Sequence, residues 1–273
     1  MSAEASPSGI LLADKPVGLT SHDMVARARR ALGTRRVGHA GTLDPFATGL
    51  LILLVGRATR LASHFAPLPK TYETVVALGA TSSTGDPEGE IVETGVVPEP
   101  LMLPLGTIRQ RPPAFSAVRI DGERAYARAR RGETVETAER EVTVFESSVL
   151  WREGDRAALR FVCSSGTYVR SLVSDLGDAY CLALRRLAIG PFEAAGAWPG
   201  EGAATLEPIA AAWARFGATA TLDGAEAAAA AHGRPLPPRG LAGAVLLLDP
   251  DGEAVAVAGE RDGALRVEVG LRG

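Results

Sequence analysis

The stretch GHAGTLDPFATGL, residues 38–50, sets a single carboxylate, Asp44, among glycine, threonine, proline and apolar residues. Asp-Pro is a turn signal, because aspartate initiates turns and proline presets φ at the next position. The turn explains the backbone but not the company. No second acid stands in the stretch to share a metal, and the titratable neighbour is His39. The apolar run that follows, GLLILLVG (49–56), is a buried strand or the start of a buried helix, and periodicity does not separate the two.

Working upstream, GILLA (9–13) is a short apolar strand leading to Asp14-Lys15-Pro16. Thr20 or Ser21 can cap a helix whose apolar positions Met24, Val25, Ala28 and Leu32 recur at helical spacing, with Gly33 as its stop. Downstream, TYETVVALGA (71–80) alternates, placing Tyr72, Thr74, Val76 and Leu78 on one face of a strand. The turn-rich TSSTGDPEGE follows, and residues 91–93 return as a hairpin partner. A proline-rich stretch leads to a helix around 122–131, then to strands at 142–150 and 157–163. After SSGTY a helix runs from about 167 to 176, capped by Ser165 or Thr167. A Gly/Pro/Ala-rich break at 191–205 precedes an alanine helix near 224–231 and the short strands AVLLLD, AVAVAG and ALRVEV, a small β-rich appendage. Strands joined by hairpins and single helices, without a βαβ rhythm, predict an α+β fold.

The chain of 273 residues is long enough for one large domain with a small appendage, and 46% hydrophobic with 22% charged residues is ordinary for a soluble globular protein. No apolar run reaches the roughly 20 residues of a membrane helix. The opening MSAEASPSGILLADK carries an acid instead of a basic n-region, so it does not read as a signal peptide. Cys163 and Cys181 have no CxxC partner, which fits a reducing, cytoplasmic setting and argues against sulfur-bound metal. The net charge of −3 hides an asymmetry. Residues 109–131 hold seven arginines against Asp121 and Glu123, and residues 14–60 hold eight basic residues against three acids. Residues 191–273 hold six arginines against eleven acids. The first two-thirds of the chain therefore predicts a basic working face.

Three side chains carry candidate chemistry. Asp44 lies on a turn between Gly41 and Gly49, which permit close approach of another backbone or a substrate. Arg170 falls in the first turn of its helix, where a cation opposes the helix dipole unless it pairs with an anion. Tyr72 starts a strand two residues after Lys70. Read singly they are a turn acid, a surface arginine and a tyrosine at the core's edge. An aspartyl phosphate would add a second acid for magnesium, and sugar hydrolysis a second carboxylate; neither stands out. The P-loop, HExxH and GxSxG patterns are absent. What remains is one carboxylate acting alone, as covalent nucleophile or general base, with an arginine that lowers its pKa and keeps it ionised.

GHAGTLDPFATGLL closely resembles the active-site motif of the bacterial tRNA pseudouridine-55 synthases, the TruB family. The resemblance continues, in the family's order, through DKPVGLTSHD, KTYETVVALGATSSTGD, RPPAFSAVRIDGERAYARARRG, CSSGTYVRSLVSDLG and LRRLAIGPF, across roughly residues 9–195. It implies a pseudouridine synthase fold: a mixed, mainly antiparallel central sheet flanked by helices (1–195), with an arginine-rich RNA-clamping insertion at 109–140. The tail, 205–273, is more weakly similar to a small β-barrel RNA-binding (PUA-like) domain. By the same resemblance Asp44 is the nucleophile, attacking C6 of uracil or C1′ of its ribose. Tyr72 stacks on the flipped base, Arg170 pairs with Asp44, and His39, Tyr168 and Leu184 line the uridine site. Lys15 and Arg60 match basic positions near the RNA, and Asp86 is kept from an acidic turn motif. Arg124, Arg128, Arg130 and Arg131 belong to the clamp.

The chain departs from the family pattern in its TSSTGD turn, in the short VVPEPLMLPLG before Arg109, and in a shortened segment before Leu184. The reading implied is a stand-alone, monomeric enzyme acting on the T-arm of tRNA, cytoplasmic, without metal, cofactor, membrane or required protein partner. Two rivals remain: an enzyme of the same superfamily that works with a guide RNA and accessory proteins, and a tRNA-folding helper. His22, His64 and His232 show no ligand spacing and are expected as cap, surface or core residues, and Cys163 as a core thiol.

Overall fold

The structure, a computed structural model, describes residues 7–116, 118–120 and 122–272. The first six residues, Asp121 and the Arg119 side chain, used above for the leader and for charge, lie outside the described residues. Strands β1 (Gly9–Lys15), β2 (Thr48–Val55), β3 (Lys70–Leu78), β4 (Gly106–Gln110), β5 (Arg140–Glu153), β6 (Arg156–Cys163) and β7 (Ala179–Ile189) form one twisted sheet in the order β1-β2-β7-β3-β6-β5-β4. Neighbours are antiparallel except β2 and β7, which run parallel. The expected mixed, mainly antiparallel sheet is therefore present.

GLLILLVG is strand, and it is apolar throughout because both of its faces are covered. Leu51, Leu53 and Val55 pack with Met24, Val25 and Ala28 of helix α1 (Ser21–Ala31). Leu50, Ile52 and Leu54 face Ile209, Trp213, Leu246 and Val257 from the C-terminal part of the chain. Helix α1 starts as expected, with Thr20 and Asp23 in a reciprocal capping box, and Gly33 follows its C-cap at φ 62°. On β3 the alternation holds: Lys70, Tyr72, Thr74, Val76 and Leu78 are buried. Residues Ile91–Glu93 pair with Ala80–Ser82, the expected hairpin.

Helix α2 (Ala125–Arg130) lies within the arginine-rich insertion, and α3 (Val169–Ser174) carries Arg170. The cap of α3 corrects the expectation: its N-cap is Tyr168, with no side-chain cap. Ser165 Oγ instead donates to Ala66 O at 2.7 Å. Strand β7 has no clear signal in the sequence pattern, since AYCLALRRLAI interrupts its apolar run with two arginines and two bulges.

Beyond the sheet, α4 (Ile209–Ala214), β8 (Ala218–Thr221), α5 (Gly224–Ala231), β9 (Ala244–Leu248), β10 (Ala254–Arg261) and β11 (Ala264–Gly270) build the appendage. Its strands order as β8-β9-β10-β11, and among the described residues this four-stranded sheet does not close on itself. The break at 191–205 is packed: Trp198 exchanges backbone hydrogen bonds with Leu12 and Asp14, and Glu207 with Ile10. No helix of the described residues is long and apolar enough to cross a membrane.

Candidate active site

The loop that presents Asp44 is tied down carbonyl by carbonyl. Arg186, on β7 and 1% exposed, donates from Nε to Leu50 O at 2.7 Å, from Nη1 to Thr42 O at 3.2 Å and from Nη2 to Gly41 O at 3.2 Å. Leu43 donates its N–H to Ser21 Oγ at 2.9 Å. Lys15 Nζ donates to Pro45 O at 3.2 Å and to Leu19 O at 2.6 Å. Gly49 makes this possible. Its φ is +104°, and a Cβ there would sit 2.2 Å from Arg186 O, so only glycine lets β7 lie against the end of the loop.

Arg170 is the hub of the site. It is 3% exposed, and its Nε lies 2.9 Å from Asp44 Oδ2. That contact is an ion pair whose N–H is not aimed along it, since Nε makes no well-aligned hydrogen bond. Nη1 donates to Thr84 O at 2.8 Å and meets Asp86 Oδ2 at 3.2 Å, and Nη2 donates to Phe115 O at 2.7 Å. A cation at the N-terminal turn of α3 is therefore answered by two carboxylates. Asp86 is buried, and its other oxygen accepts from Thr84 Oγ1 at 2.6 Å and from the Glu88 N–H at 3.1 Å. It acts by orienting Arg170.

Arg170 lowers the Asp44 pKa as expected, but it does not prevail, and the net shift is upward. Burial at the base of the cleft pushes the Asp44 carboxyl above its ordinary value, and the Asp86 charge adds to the rise. Arg170 and Lys15 pull the other way without cancelling it. The side chain still keeps 30% of its exposure through the cleft, so the carboxylate is reachable.

Asp44 stands where two cavities meet. The smaller, of about 250 Å³, is lined by Lys70, Tyr72, Tyr168, Leu184 and Arg186. The larger, of about 510 Å³, is lined by His22, His39, Asp86, Phe115, Arg124, Tyr126 and Arg130. Thr42, Leu43, Asp44 and Arg170 border both. Tyr72 is 9% exposed, and burial raises its phenol above the ordinary value. Lys70 is held by Ala66 O and Leu68 O, and burial lowers it to about 8. His39 opens on the larger cavity, apart from Tyr168 and Leu184. Burial lowers its pKa, and its Nδ1 makes no hydrogen bond among the described residues.

Two residues, expected near the RNA and the pocket, border neither cavity. Lys15 is fully buried, with Nζ committed to carbonyls and its pKa lowered to about 8 by burial, so it supports the Asp44 loop and does not meet RNA. Arg60 donates to Gly270 O at 2.6 Å, tying the catalytic sheet's flank to β11, and it borders neither cavity. The four clamp arginines divide. Arg124 and Arg130 line the larger cavity, whereas Arg131 is paired with Glu123 and Glu133, and Arg128 with Glu133.

Sequence reading missed Arg186, Gln110, His22 and Tyr126. Gln110, 1% exposed, grips the Tyr168 backbone with both ends of its amide, at 2.8 and 3.0 Å. Nothing local in RRLAI or TIRQRPP signals these contacts, because each depends on a partner at least 58 residues away in sequence. Among the described residues no group of three or more His, Cys, Asp or Glu gathers in a way that could hold a metal ion.

Solved structures share the fold. An H/ACA RNP bound to a substrate RNA containing 2′-deoxyuridine superposes with a TM-score of 0.69 at 22% identity, over 97% of this chain and 85% of that one. A Cbf5-Nop10-Gar1 complex gives 0.68 at 24% identity, over 96% and 84%. At that identity the likeness speaks for the fold alone. The sequence model of the TruB family pseudouridylate synthase N-terminal domain matches residues 29–169, and that of the tRNA pseudouridine synthase II C-terminal domain matches 218–272. The chain belongs to the TruB family of pseudouridylate synthases, isomerases that form pseudouridine. Similar proteins include the tRNA pseudouridine synthase B of Thermobifida fusca (strain YX), 44% identical across 94% of this chain and 96% of that protein. That of Rhodococcus jostii (strain RHA1) is 41% identical across 96% and 95%.

Proposed function

We propose that this enzyme isomerises uridine 55 in the T-loop of tRNA, with Asp44 as nucleophile and the uridine flipped out of the RNA into the smaller cavity. The observation that carries the reading is the Asp44 carboxylate at the junction of the two cavities, 2.9 Å from Arg170 and open to the cleft. The relatives' names, tRNA pseudouridine synthase B, supply the substrate class. Asp44 attacks C1′ or C6. In either case the C1′–N1 bond breaks, the base turns, a C1′–C5 bond forms, the bond to Asp44 is released, the C5 proton leaves and N1 gains a proton, so the carboxylate is regenerated. Unstacking the nucleotide costs roughly a few kcal/mol. Tyr72, a neutral phenol through burial, replaces the lost stacking and offers its hydroxyl as a donor. Leu184 and Tyr168 close the walls.

Arg124 and Arg130 at the mouth of the larger cavity meet the phosphates that follow the flipped nucleotide. Residues 1–195 act as the catalytic unit, with the 109–140 segment closing over the T-arm. Residues 205–273 act as a PUA-like unit, here more buttress than phosphate clamp. Five of its six arginines, namely Arg215, Arg239, Arg261, Arg266 and Arg272, are held in ion pairs. A monomer working in the cytoplasm without a protein partner completes the reading.

The test is tritium release from unmodified tRNA labelled at uridine C5, with wild type and Asp44→Asn side by side. Release from one uridine per tRNA, abolished in the variant while tRNA still binds, is the expected result. Turnover by Asp44→Asn at the wild-type rate would remove Asp44 from the nucleophile's role. Binding without release by the wild type would favour the guide-dependent or folding-helper readings.

A further inference from the structure

Arg186 is a buried charge that the mechanism above does not use. Among the described residues it has no carboxylate partner. A guanidinium taken out of water normally requires an anion, because the desolvation cost of an unpaired charge is several kcal/mol. Here three N–H groups are spent on main-chain carbonyls instead, and all three carbonyls belong to the two ends of the segment that carries Asp44: Gly41 and Thr42 before it, Leu50 after it.

The position of Arg186 in the sheet is equally specific. On one side, β7 pairs with β3 so that Arg186 stands opposite Tyr72 as its cross-strand neighbour, and both residues line the smaller cavity. On the other side, β7 pairs with β2 so that Arg186 stands opposite Gly49, the residue whose missing Cβ permits the close approach. The guanidinium also forms part of the smaller cavity's wall. One residue therefore serves both halves of the site: its guanidinium binds the loop that presents the carboxylate, and its place on β7 sets it beside the ring expected to stack on the base. A lysine supplies a single ammonium, a point charge without the guanidinium's fork, which cannot bridge the carbonyls on both ends of the loop in the same way.

We propose that Arg186 is the positioning residue of the reaction, a single buried guanidinium that holds the Asp44 loop and Tyr72 at a fixed distance across the uridine cavity. The proposal rests on the reading of Asp44 as nucleophile. Binding of tRNA draws on the outer surface and the arginine insertion, so loss of Arg186 acts on the chemical step and leaves binding alone. Misplacement of a reacting group by about 1 Å costs on the order of a hundredfold in rate.

The experiment compares Arg186→Met and Arg186→Lys with wild type and Asp44→Asn, measuring tRNA Kd, single-turnover rate of C5 tritium release and Tm. Arg186→Met is expected to lower the rate about a hundredfold with Kd within twofold of wild type. Arg186→Lys is expected to recover only part of it, and millimolar ethylguanidinium should raise the rate of a folded Arg186→Ala variant. A wild-type rate in folded Arg186→Met, or a loss confined to Kd, would overturn the proposal. If Arg186→Met does not fold, Arg186→Lys decides: a drop of about tenfold or more at unchanged Kd supports the positioning role, and a wild-type rate refutes it. Asp44→Asn separates the two levels. Inactive Asp44→Asn beside fully active Arg186 variants removes only the positioning role, whereas active Asp44→Asn removes the nucleophile reading beneath it.

Discussion

Replacing Arg170 by methionine keeps an unbranched apolar stem and deletes the charge that two carboxylates share. Asp86 would then be buried without its cation, held only by Thr84 Oγ1 and the Glu88 N–H, and Asp44 would lose the largest influence that lowers its pKa. Breaking a buried pair by removing one partner costs about 3–5 kcal/mol. Here the lower part of that range applies, because Asp44 keeps 30% exposure and can recover some hydration through the cleft. The carbonyls of Thr84 and Phe115 lose their donors as well, at about 1 kcal/mol each, so the total is about 5 kcal/mol. For a chain of this size that is a fall in Tm of roughly 10 °C.

The pH dependence gives the sharper check. A carboxyl whose pKa is raised on folding binds more protons in the folded state than in the unfolded one, so stability falls as pH rises through that window and returns on acidification. Asp44 already lies above its ordinary value of 3.8, and the rise must grow without Arg170. Urea unfolding and calorimetry at pH 7.5 and pH 5.5 should therefore show, relative to wild type, a deficit that shrinks at the lower pH. Arg170→Met combined with Asp44→Asn and Asp86→Asn should restore most of the loss. A deficit below about 1 kcal/mol, or one equal at both pH values and untouched by the asparagines, would refute the two-carboxylate account of this arginine.

Two further expectations can be checked quickly. Gly49→Ala puts a Cβ 2.2 Å from Arg186 O at φ +104°, so it should cost at least about 3 kcal/mol in urea unfolding and lower soluble yield, whereas Gly33→Ala, with nothing within 4 Å, should lose only about 1 kcal/mol. Neutralising Arg124 and Arg130 together should reduce the slope of log K for tRNA against log salt by about 2, while Arg131→Gln, already paired with Glu123 and Glu133, should barely change it; equal effects of the two variants in filter-binding titrations would contradict the division of the insertion.

Local chemistry alone determined much of this protein. The period-two pattern of β3, the Thr20–Asp23 cap of α1 and the unbroken apolar run of β2 each reflect a balance struck within a few residues: burial on one face, an unsatisfied helix end, burial on both faces. The same holds for Asp44, which its apolar neighbours in the chain already single out, and for Arg170, whose unfavourable place on a helix required an anion.

What the tertiary structure decided are the partnerships across long separations. The central strand β7 hides behind its two arginines, because a strand's capacity to bury a charge depends on carbonyls brought to it from residues more than a hundred positions away. Lys15 is a basic residue whose charge is turned to main-chain carbonyls inside the fold, something composition cannot distinguish from a contact with phosphate. The net upward shift of Asp44 is of the same kind. A sequence shows an acid and an arginine, but the sign of the result depends on how deeply both are buried and on a second acid, Asp86, competing for the same cation.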